Sequence, residues 1–213
     1  MQSVALIDYG SGNLRSAEKA LVEAARRAGR EVSVHVTADP QIVAAADRIL
    51  LPGVGAFASC RAGLDASGVV EALREAVEQR GAPFLGICVG MQLLATRGLE
   101  FGVTPGLDWI GGEVKRLEPA DPGLSIPHMG WNAVERTRDH ALFEGVEAAA
   151  PMYFANSFAL TASDPADVLA TSDHGGRFTA AVARGNVAGV QFHPEKSQQA
   201  GLRLLANFLD WRP

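Results

Sequence analysis

Two short segments of the chain carry residue types that together could cleave an amide. The first is Gly86-Ile87-Cys88-Val89-Gly90, which has the glycine-x-nucleophile-x-glycine form of a nucleophile elbow. A tight strand-to-helix turn needs small residues beside the nucleophile. It presents the thiol at the top of a sheet, next to a helix amino terminus whose partial positive charge favours the reactive thiolate. The second segment is Phe192-His193-Pro194-Glu195. In extended chain residues i and i+2 share a face, so His193 and Glu195 would point toward one site, with Pro194 fixing the backbone between them. A nucleophilic cysteine needs a base, and the base needs a group that orients it, which His193 and Glu195 could supply to Cys88. Each segment read alone also has a plain structural meaning. A free cysteine is commonly a buried packing residue, and a strand-end His-Pro-Glu is commonly solvated.

The surrounding elements would have to bring these segments together. Val4 to Asp8 is a short apolar run closed by the turn cluster Tyr9-Gly10-Ser11-Gly12-Asn13. Leu14, Ala17, Leu21, Ala25 and Ala28 then fall on one helical face that Gly29 ends. Glu31 to Thr37 alternates as a strand, Asp39-Pro40 opens a turn, and Arg48 to Leu51 is a strand ended by Pro52-Gly53. Val69, Ala72, Leu73, Ala76 and Val77 mark a helix that stops at Gly81. Pro83 to Ile87 reads as a buried strand and Met91 to Thr96 as the start of a helix. Strands alternating with helices imply βαβ units and a parallel sheet, whose ligand sites lie beyond the strands' carboxyl ends. The second half reads as more β-rich. Trp109 to Leu117, Met152 to Leu160, Val168 to Ser172 and Phe178 to Phe192 are expected as strands and hairpins, Pro119 to Pro127 as a surface loop, and Leu202, Leu205, Phe208 and Leu209 as the apolar face of a closing helix. The expected architecture is α/β: a mostly parallel central sheet flanked by helices in a three-layer sandwich, with an added antiparallel region, as one domain over residues 1–213.

Composition narrows the class. The 213 residues carry a net charge of −5 and only three lysines, Lys19, Lys115 and Lys196, which disfavours a protein that lives on nucleic-acid backbone. The amino terminus lacks the basic region of a signal peptide, and no segment approaches the apolar length of a membrane span. With two cysteines, Cys60 and Cys88, a reduced cytoplasmic setting is the simpler expectation. Cys60 lies in a polar loop-to-helix stretch and reads as structural or incidental. The other histidines, His35, His128, His140 and His174, show no spacing that suggests zinc, so neither a metal nor a cofactor is expected.

Gly86-Ile87-Cys88-Val89-Gly90-Met91-Gln92 together with Gln191-Phe192-His193-Pro194-Glu195-Lys196-Ser197 resembles a class I, triad-type glutamine amidotransferase. Asp8-Tyr9-Gly10-Ser11-Gly12-Asn13-Leu14, Leu51-Pro52-Gly53-Val54-Gly55-Ala56-Phe57 and Pro127-His128-Met129-Gly130-Trp131-Asn132 resemble the glutaminase subunits of imidazole glycerol phosphate synthase. The resemblance runs from residue 4 to about residue 209, with five motifs in the expected order. It implies that Cys88 attacks the side-chain amide of glutamine, that His193 carries the proton to the leaving ammonia, and that Glu195 orients the ring. The ammonia would pass to a (β/α)₈-barrel cyclase, forming imidazole glycerol phosphate and an aminoimidazole carboxamide ribotide in histidine biosynthesis. A barrel takes about 250 residues, so the cyclase would be a separate chain and the assembly a heterodimer.

The resemblance also implies a substrate pocket. Gly53 and Val54 match the family's oxyanion strand, with the Val89 amide as a second donor. Glycines on both sides of Val54 would let that peptide rotate, so that the hole completes only when the partner binds its own substrate. Gln92 and Glu100 match glutamine-pocket positions, Glu100 for the α-amino group, and Ser157 and Phe158 match backbone contacts. Asn13 and Trp131 match positions that face the cyclase. One departure stands out: in Tyr153-Phe154-Ala155-Asn156-Ser157-Phe158 the family's histidine and second tyrosine are Asn156 and Phe158. Three other readings compete: a sister amidotransferase such as one feeding pyridoxal phosphate synthesis, against which the Pro127–Asn132 segment argues; a non-catalytic binding subunit, against which the intact Cys88, His193 and Glu195 argue; and a freestanding cysteine hydrolase, which would turn over glutamine without a partner. A nucleotide-binding module fits least, since Gly10-Ser11-Gly12 lacks the third glycine of a dinucleotide fingerprint and no P-loop is present.

Overall fold

Four apolar segments of the first half lie side by side in the computed structural model, which describes residues 1–213. They are β1 (Gln2–Ile7), β2 (Val32–Thr37), β3 (Arg48–Gly53) and β4 (Phe84–Cys88), all parallel. β3 and β4 are buried throughout, as strands covered on both faces must be. Helix α1 (Leu14–Arg27) buries Ala17, Ala20, Leu21, Ala24 and Ala25, close to the stripe expected from periodicity. It ends before Gly29, which takes φ +66°. Two further helices give no clear periodicity. In α2 (Pro40–Ala45), Asp39 caps the first turn by accepting from the Gln41 N–H at 2.9 Å, and Pro40 sits at the first helical position. In α3 (Phe57–Ala66), only Phe57, Cys60 and Leu64 are buried, a stripe too thin to stand out among small residues. Helix α4 (Val70–Arg74) runs on into a wider π turn at Glu75–Gln79, which ends near Gly81.

The second half departs more from expectation. Helix α5 (Val89–Gln92) starts at the residue after Cys88, two residues earlier than the sequence suggests, and lasts one turn. The chain beyond it bonds to the Gly106–Ile110 backbone instead of continuing the helix. Strand β5 (Gly112–Arg116) is shorter than the expected run from Trp109. The His128–Ala133 segment, known from sequence only as a motif, is strand β6. The β segment expected from Met152 to Leu160 is two strands, β7 (Pro151–Asn156) and β8 (Phe158–Ala162), broken at Ser157. β7 pairs with β6 while β8 pairs with β5, so the chain changes sheet at Ser157. The sequence does not say which neighbour each half will pair with, because both halves are short and largely apolar. Strands β9 (Val168–Asp173), β10 (Arg177–Arg184) and β11 (Val187–Val190) form an antiparallel run whose last turn uses Gly185 at φ +55°. β11 then pairs parallel with β4. The main sheet thus has eight strands in the order β2-β1-β3-β4-β11-β10-β9, completed by the short Glu135–Arg136 strand, and its first five strands are parallel. Helix α6 (Gln198–Asp210) packs Leu204, Leu205, Phe208 and Leu209 inward. Sixty-one buried apolar residues form one contiguous core. No helix is long and apolar enough to cross a membrane.

The glycines of the elbow are dictated by packing. A Cβ on Gly90 would sit 1.8 Å from the Leu51 carbonyl oxygen, and one on Gly86 would sit 2.4 Å from the Gly90 carbonyl oxygen. Both obstacles are backbone, which cannot rotate away. Gly90→Ala is therefore expected to destabilise the fold by about 3 kcal/mol or more. The check is the denaturant midpoint at unchanged m-value; a midpoint equal to the parent's would show that α5 tolerates being pushed off β3.

Candidate active site

The carboxyl ends of β1, β3, β4 and β11 lie next to one another at one edge of the sheet. They deliver Tyr9–Asn13, Pro52–Gly55, Cys88 and Gln191–Glu195 to a common region. Cys88 is the last residue of β4 and precedes the first turn of α5, with φ 56° and ψ −113°. A positive φ in a residue with a Cβ is strained and persists only where the surroundings impose it. Here the strand, the helix and the two glycines impose it. Cys88 is 4 % exposed and forms no disulfide.

His193 leaves β11 through Gln191 and Phe192. Its N–H donates to the Tyr153 carbonyl at 2.8 Å, and its own carbonyl accepts from Ser197 Oγ at 2.6 Å, so its backbone is fixed on both sides. The ring Nδ1 lies 2.8 Å from Glu195 Oε1, with both side chains nearly inaccessible to solvent. The reason differs from the one the sequence suggests. Pro194–Lys196 is a single 3₁₀ turn, not extended chain, and it is this turn that folds Glu195 back onto the ring. Burial pulls the imidazole pKa down, but the Cys88 sulfur and the Glu195 carboxylate outweigh it, and His193 is pushed up to about 9. The site thus favours a charged imidazole beside the Cys88 sulfur, and a neighbouring imidazolium is the kind of charge that activates a nucleophilic cysteine. Glu195 Oε2 is buried with no hydrogen-bond partner, so the carboxylate's hydrogen bonding is concentrated on the histidine.

A cavity of about 280 Å³ opens over Cys88. Of the residues singled out in the sequence, Val54, Val89, Gln92, Glu100, Ser157, Phe158 and His193 line it together with Cys88. Gly53 lies behind this wall, packed against the Tyr9 hydroxyl and the Gly90 N–H, and Glu195 lies behind His193. Gln92 is 4 % exposed, so it is a wall residue and not a solvated one. Its amide donates to the Phe158 carbonyl and to Gln191 Oε1, each at 3.0 Å. Gln191, in turn, is fully buried and places its amide nitrogen 3.7 Å from Cys88 Sγ. Gln191 opens the second motif of the resemblance, yet no role attaches to it from sequence. Its place immediately before the His-Pro-Glu segment, at the end of a strand neighbouring Cys88, is the available signal. One oxygen of Glu100 accepts from the Phe57 N–H at 2.8 Å, which caps α3. Asn156 also reaches the cavity wall. It donates to the same Phe158 carbonyl at 3.1 Å, and its Oδ1 is buried without a partner. The departure at Asn156 therefore leaves the sheet switch at Ser157 tied down.

The Pro52–Gly55 turn is held by a set of hydrogen bonds beside Cys88. The Tyr9 hydroxyl donates to the Pro52 carbonyl at 2.8 Å. Ser11 Oγ accepts from the Val54 N–H at 3.1 Å and donates to the Val54 carbonyl at 2.7 Å. The Cys60 thiol donates to that carbonyl at 3.3 Å and lies 3.3 Å from Ser11 Oγ. Cys60 is thus a buried member of α3, not part of a polar loop, and burial pushes its thiol pKa up. Asn13 and Trp131 lie outside the cavity on the exposed surface. Asn13 occupies the amino-cap position of α1 yet makes no side-chain cap bond. Trp131 is 48 % exposed, and its ring meets Tyr153 edge-on, with centroids 5.8 Å apart. Met129, on the same strand, is 66 % exposed.

The chain belongs to the class-I glutamine amidotransferase family, whose family model matches residues 5–211. Solved structures agree on the fold. A structure described as a glutamine amidotransferase superposes with a TM-score of 0.70 at 21 % identity, covering 97 % of both chains. Within the family the similarity is closer. The imidazole glycerol phosphate synthase subunit HisH of Caulobacter vibrioides is 73 % identical over 213 residues and the whole of both chains, and that of Rhodospirillum rubrum is 58 % identical over 212 residues and 99 % of both. The chain is accordingly a glutaminase subunit of the imidazole glycerol phosphate synthase type, an enzyme of histidine biosynthesis, which separates it from the sister amidotransferases and from a decayed binding subunit.

Proposed function

We propose that this chain, as a single domain over residues 1–213, releases ammonia from glutamine at Cys88 and passes it to a separate (β/α)₈-barrel cyclase with which it forms a heterodimer in the cytoplasm. The observation that carries the residue assignment is the 2.8 Å contact from Glu195 to His193 beside an elbow cysteine in one cavity. In this reading the Cys88 thiolate attacks the side-chain amide carbon of glutamine, forming a C–S bond and a tetrahedral oxyanion. The imidazolium of His193 gives its proton to the leaving nitrogen, the C–N bond breaks, and ammonia departs. His193, now neutral, takes a proton from water, whose oxygen attacks the glutamyl thioester to give glutamate and restore the thiol. Glu195 keeps the ring oriented and stabilises its charged form. The Val89 N–H, in the first turn of α5 and without an intrahelical acceptor, suits one oxyanion donor, and the Val54 N–H suits the other. Gln92, Ser157 and Phe158 would form the substrate wall. The free oxygen of Glu100 would take the α-amino group. Exposed Trp131 and Met129, and the uncommitted Asn13 amide, suit a partner interface.

Glutamate release by this chain alone, with the cyclase, and with the cyclase plus imidazole glycerol phosphate tests the reading. The rate is expected to rise strongly with partner and ligand together. Equal rates in all three conditions would indicate a freestanding hydrolase.

A further inference from the structure

Gln191 lies between Val190 and Phe192, and all three side chains are fully buried. Packing alone would be served there by a third apolar residue. A buried amide costs free energy unless its polar atoms find partners. The partners of Gln191 decide which way its amide points. The Phe158 carbonyl can only accept, so the Gln92 group that meets it at 3.0 Å is the NH₂. The same nitrogen meets the Gln191 side chain at 3.0 Å, so the atom of Gln191 that faces Gln92 is the oxygen. The Gln191 NH₂ is thereby turned the other way, and the acceptor it meets is Cys88 Sγ at 3.7 Å. The backbone of Gln191 is fixed as well, its N–H donating to the Ala180 carbonyl at 2.8 Å. A carbonyl next to the sheet switch thus sets, through two side-chain amides, the donor that faces the sulfur.

From this chain of contacts we infer that Gln191 is a further catalytic residue of the glutaminase reaction: its amide N–H donates to the Cys88 sulfur and stabilises the negative charge that returns there when the glutamyl thioester breaks down. The inference rests on the glutaminase reading above. In that step the water oxygen has formed its bond to the acyl carbon. The tetrahedral intermediate collapses, the C–S bond breaks, and its electron pair leaves on sulfur as the thiolate. His193, holding the proton taken from the water, and the Gln191 N–H both meet that charge. Gln191 itself gains and loses no proton. A hydrogen bond to an ion is stronger than one to a neutral group, so the contact strengthens as the charge develops. A neutral thioester sulfur is the weaker acceptor, so the donor favours the departing thiolate over the bound acyl group.

The experiment measures glutamate release, and the fraction of enzyme held as glutamyl thioester by acid quench and mass spectrometry, in the complex with cyclase and imidazole glycerol phosphate. Gln191→Met keeps the volume and removes the donor. It is expected to lower kcat by about three- to thirtyfold. The steady-state thioester fraction should rise above the parent's, and KM should fall together with kcat because the acyl enzyme accumulates. Loosened packing alone would give the opposite pattern, a raised KM with no extra thioester. A folded Gln191→Met complex with the parental kcat, or with a lower kcat and no rise in thioester, would overturn the assignment. If Gln191→Met fails to fold, as read by its melting curve, Gln191→Glu takes its place. It keeps an oxygen for Gln92 and puts a carboxylate where the donor stood, so thioester should again accumulate; its absence would likewise overturn the proposal. A parent complex that releases no glutamate would mark failure of the glutaminase reading instead.

Discussion

Replacing Cys88 by alanine is expected to lower glutamate release by about 10⁴-fold or more, in the complex as well as in the isolated chain. The thiol is the only nucleophile in the cavity placed at a strained elbow and a helix amino terminus. Without it no thioester forms, and water would have to attack an unactivated amide. The fold should survive, because Cys88 is held by its backbone and its neighbours' glycines, and the loss of one sulfur leaves room without creating a clash. The substrate wall of Gln92, Glu100 and Phe158 is also untouched, so glutamine should still bind; calorimetric titration checks this directly. Loss of turnover with binding retained would assign the chemistry to the sulfur. A variant that kept a tenth of the parental rate would remove Cys88 from the mechanism. The same variant separates the two halves of the assembly: an ammonium salt supplied to the complex should still feed the cyclase.

The second large effect is expected at Glu195. Glu195→Gln keeps the shape of the side chain but replaces an anionic acceptor with an amide that can turn its NH₂ toward the ring. The comparable loss of an orienting carboxylate in a serine protease triad lowers turnover about 10⁴-fold, and for this site a fall of about 10²- to 10⁴-fold is expected. The effect has a signature in pH as well as in rate. His193 is pushed up to about 9, against burial, by Cys88 and Glu195. A histidine whose folded value lies above its unfolded one contributes stability that is fully present below about pH 6.5 and is lost as pH rises through about 9. In Glu195→Gln that contribution shrinks. The parent should therefore lose stability over this alkaline window, and the variant should lose less. Titration of the His193 ring by NMR gives the same test at the residue: a midpoint unmoved by the substitution would show that Glu195 does not set the charge state of the base.

Much of this site is legible in the amino-acid sequence. The elbow glycines, the cysteine between them and the His-Pro-Glu segment are local signals, because each requirement acts over a few residues. A tight turn excludes side chains, a strand before it is apolar, and a base and its orienter sit two residues apart. The four parallel strands of the first half and the helix after Asn13 are legible for the same reason, since periodicity records which face is buried. What the tertiary structure alone decides is what depends on distant partners. Pro194–Lys196 is a 3₁₀ turn, not a strand end, and it is Tyr153, from elsewhere in the chain, that holds it: its carbonyl accepts from the His193 N–H and its N–H donates to Ser197 Oγ, which binds the His193 carbonyl. The segment from Met152 to Leu160 divides between two sheets because β6 and β5 pair with its two halves, a choice not written in either half. Gln191 becomes a neighbour of the thiol, and Asn156 and Gln92 share the Phe158 carbonyl, through contacts between elements far apart in sequence. The restraint on Val54 is the clearest case. Residues 11, 54 and 60 have nothing to announce in sequence that they meet. They are joined because two parallel strands end side by side, and a hydrogen bond between their loops is a property of that adjacency.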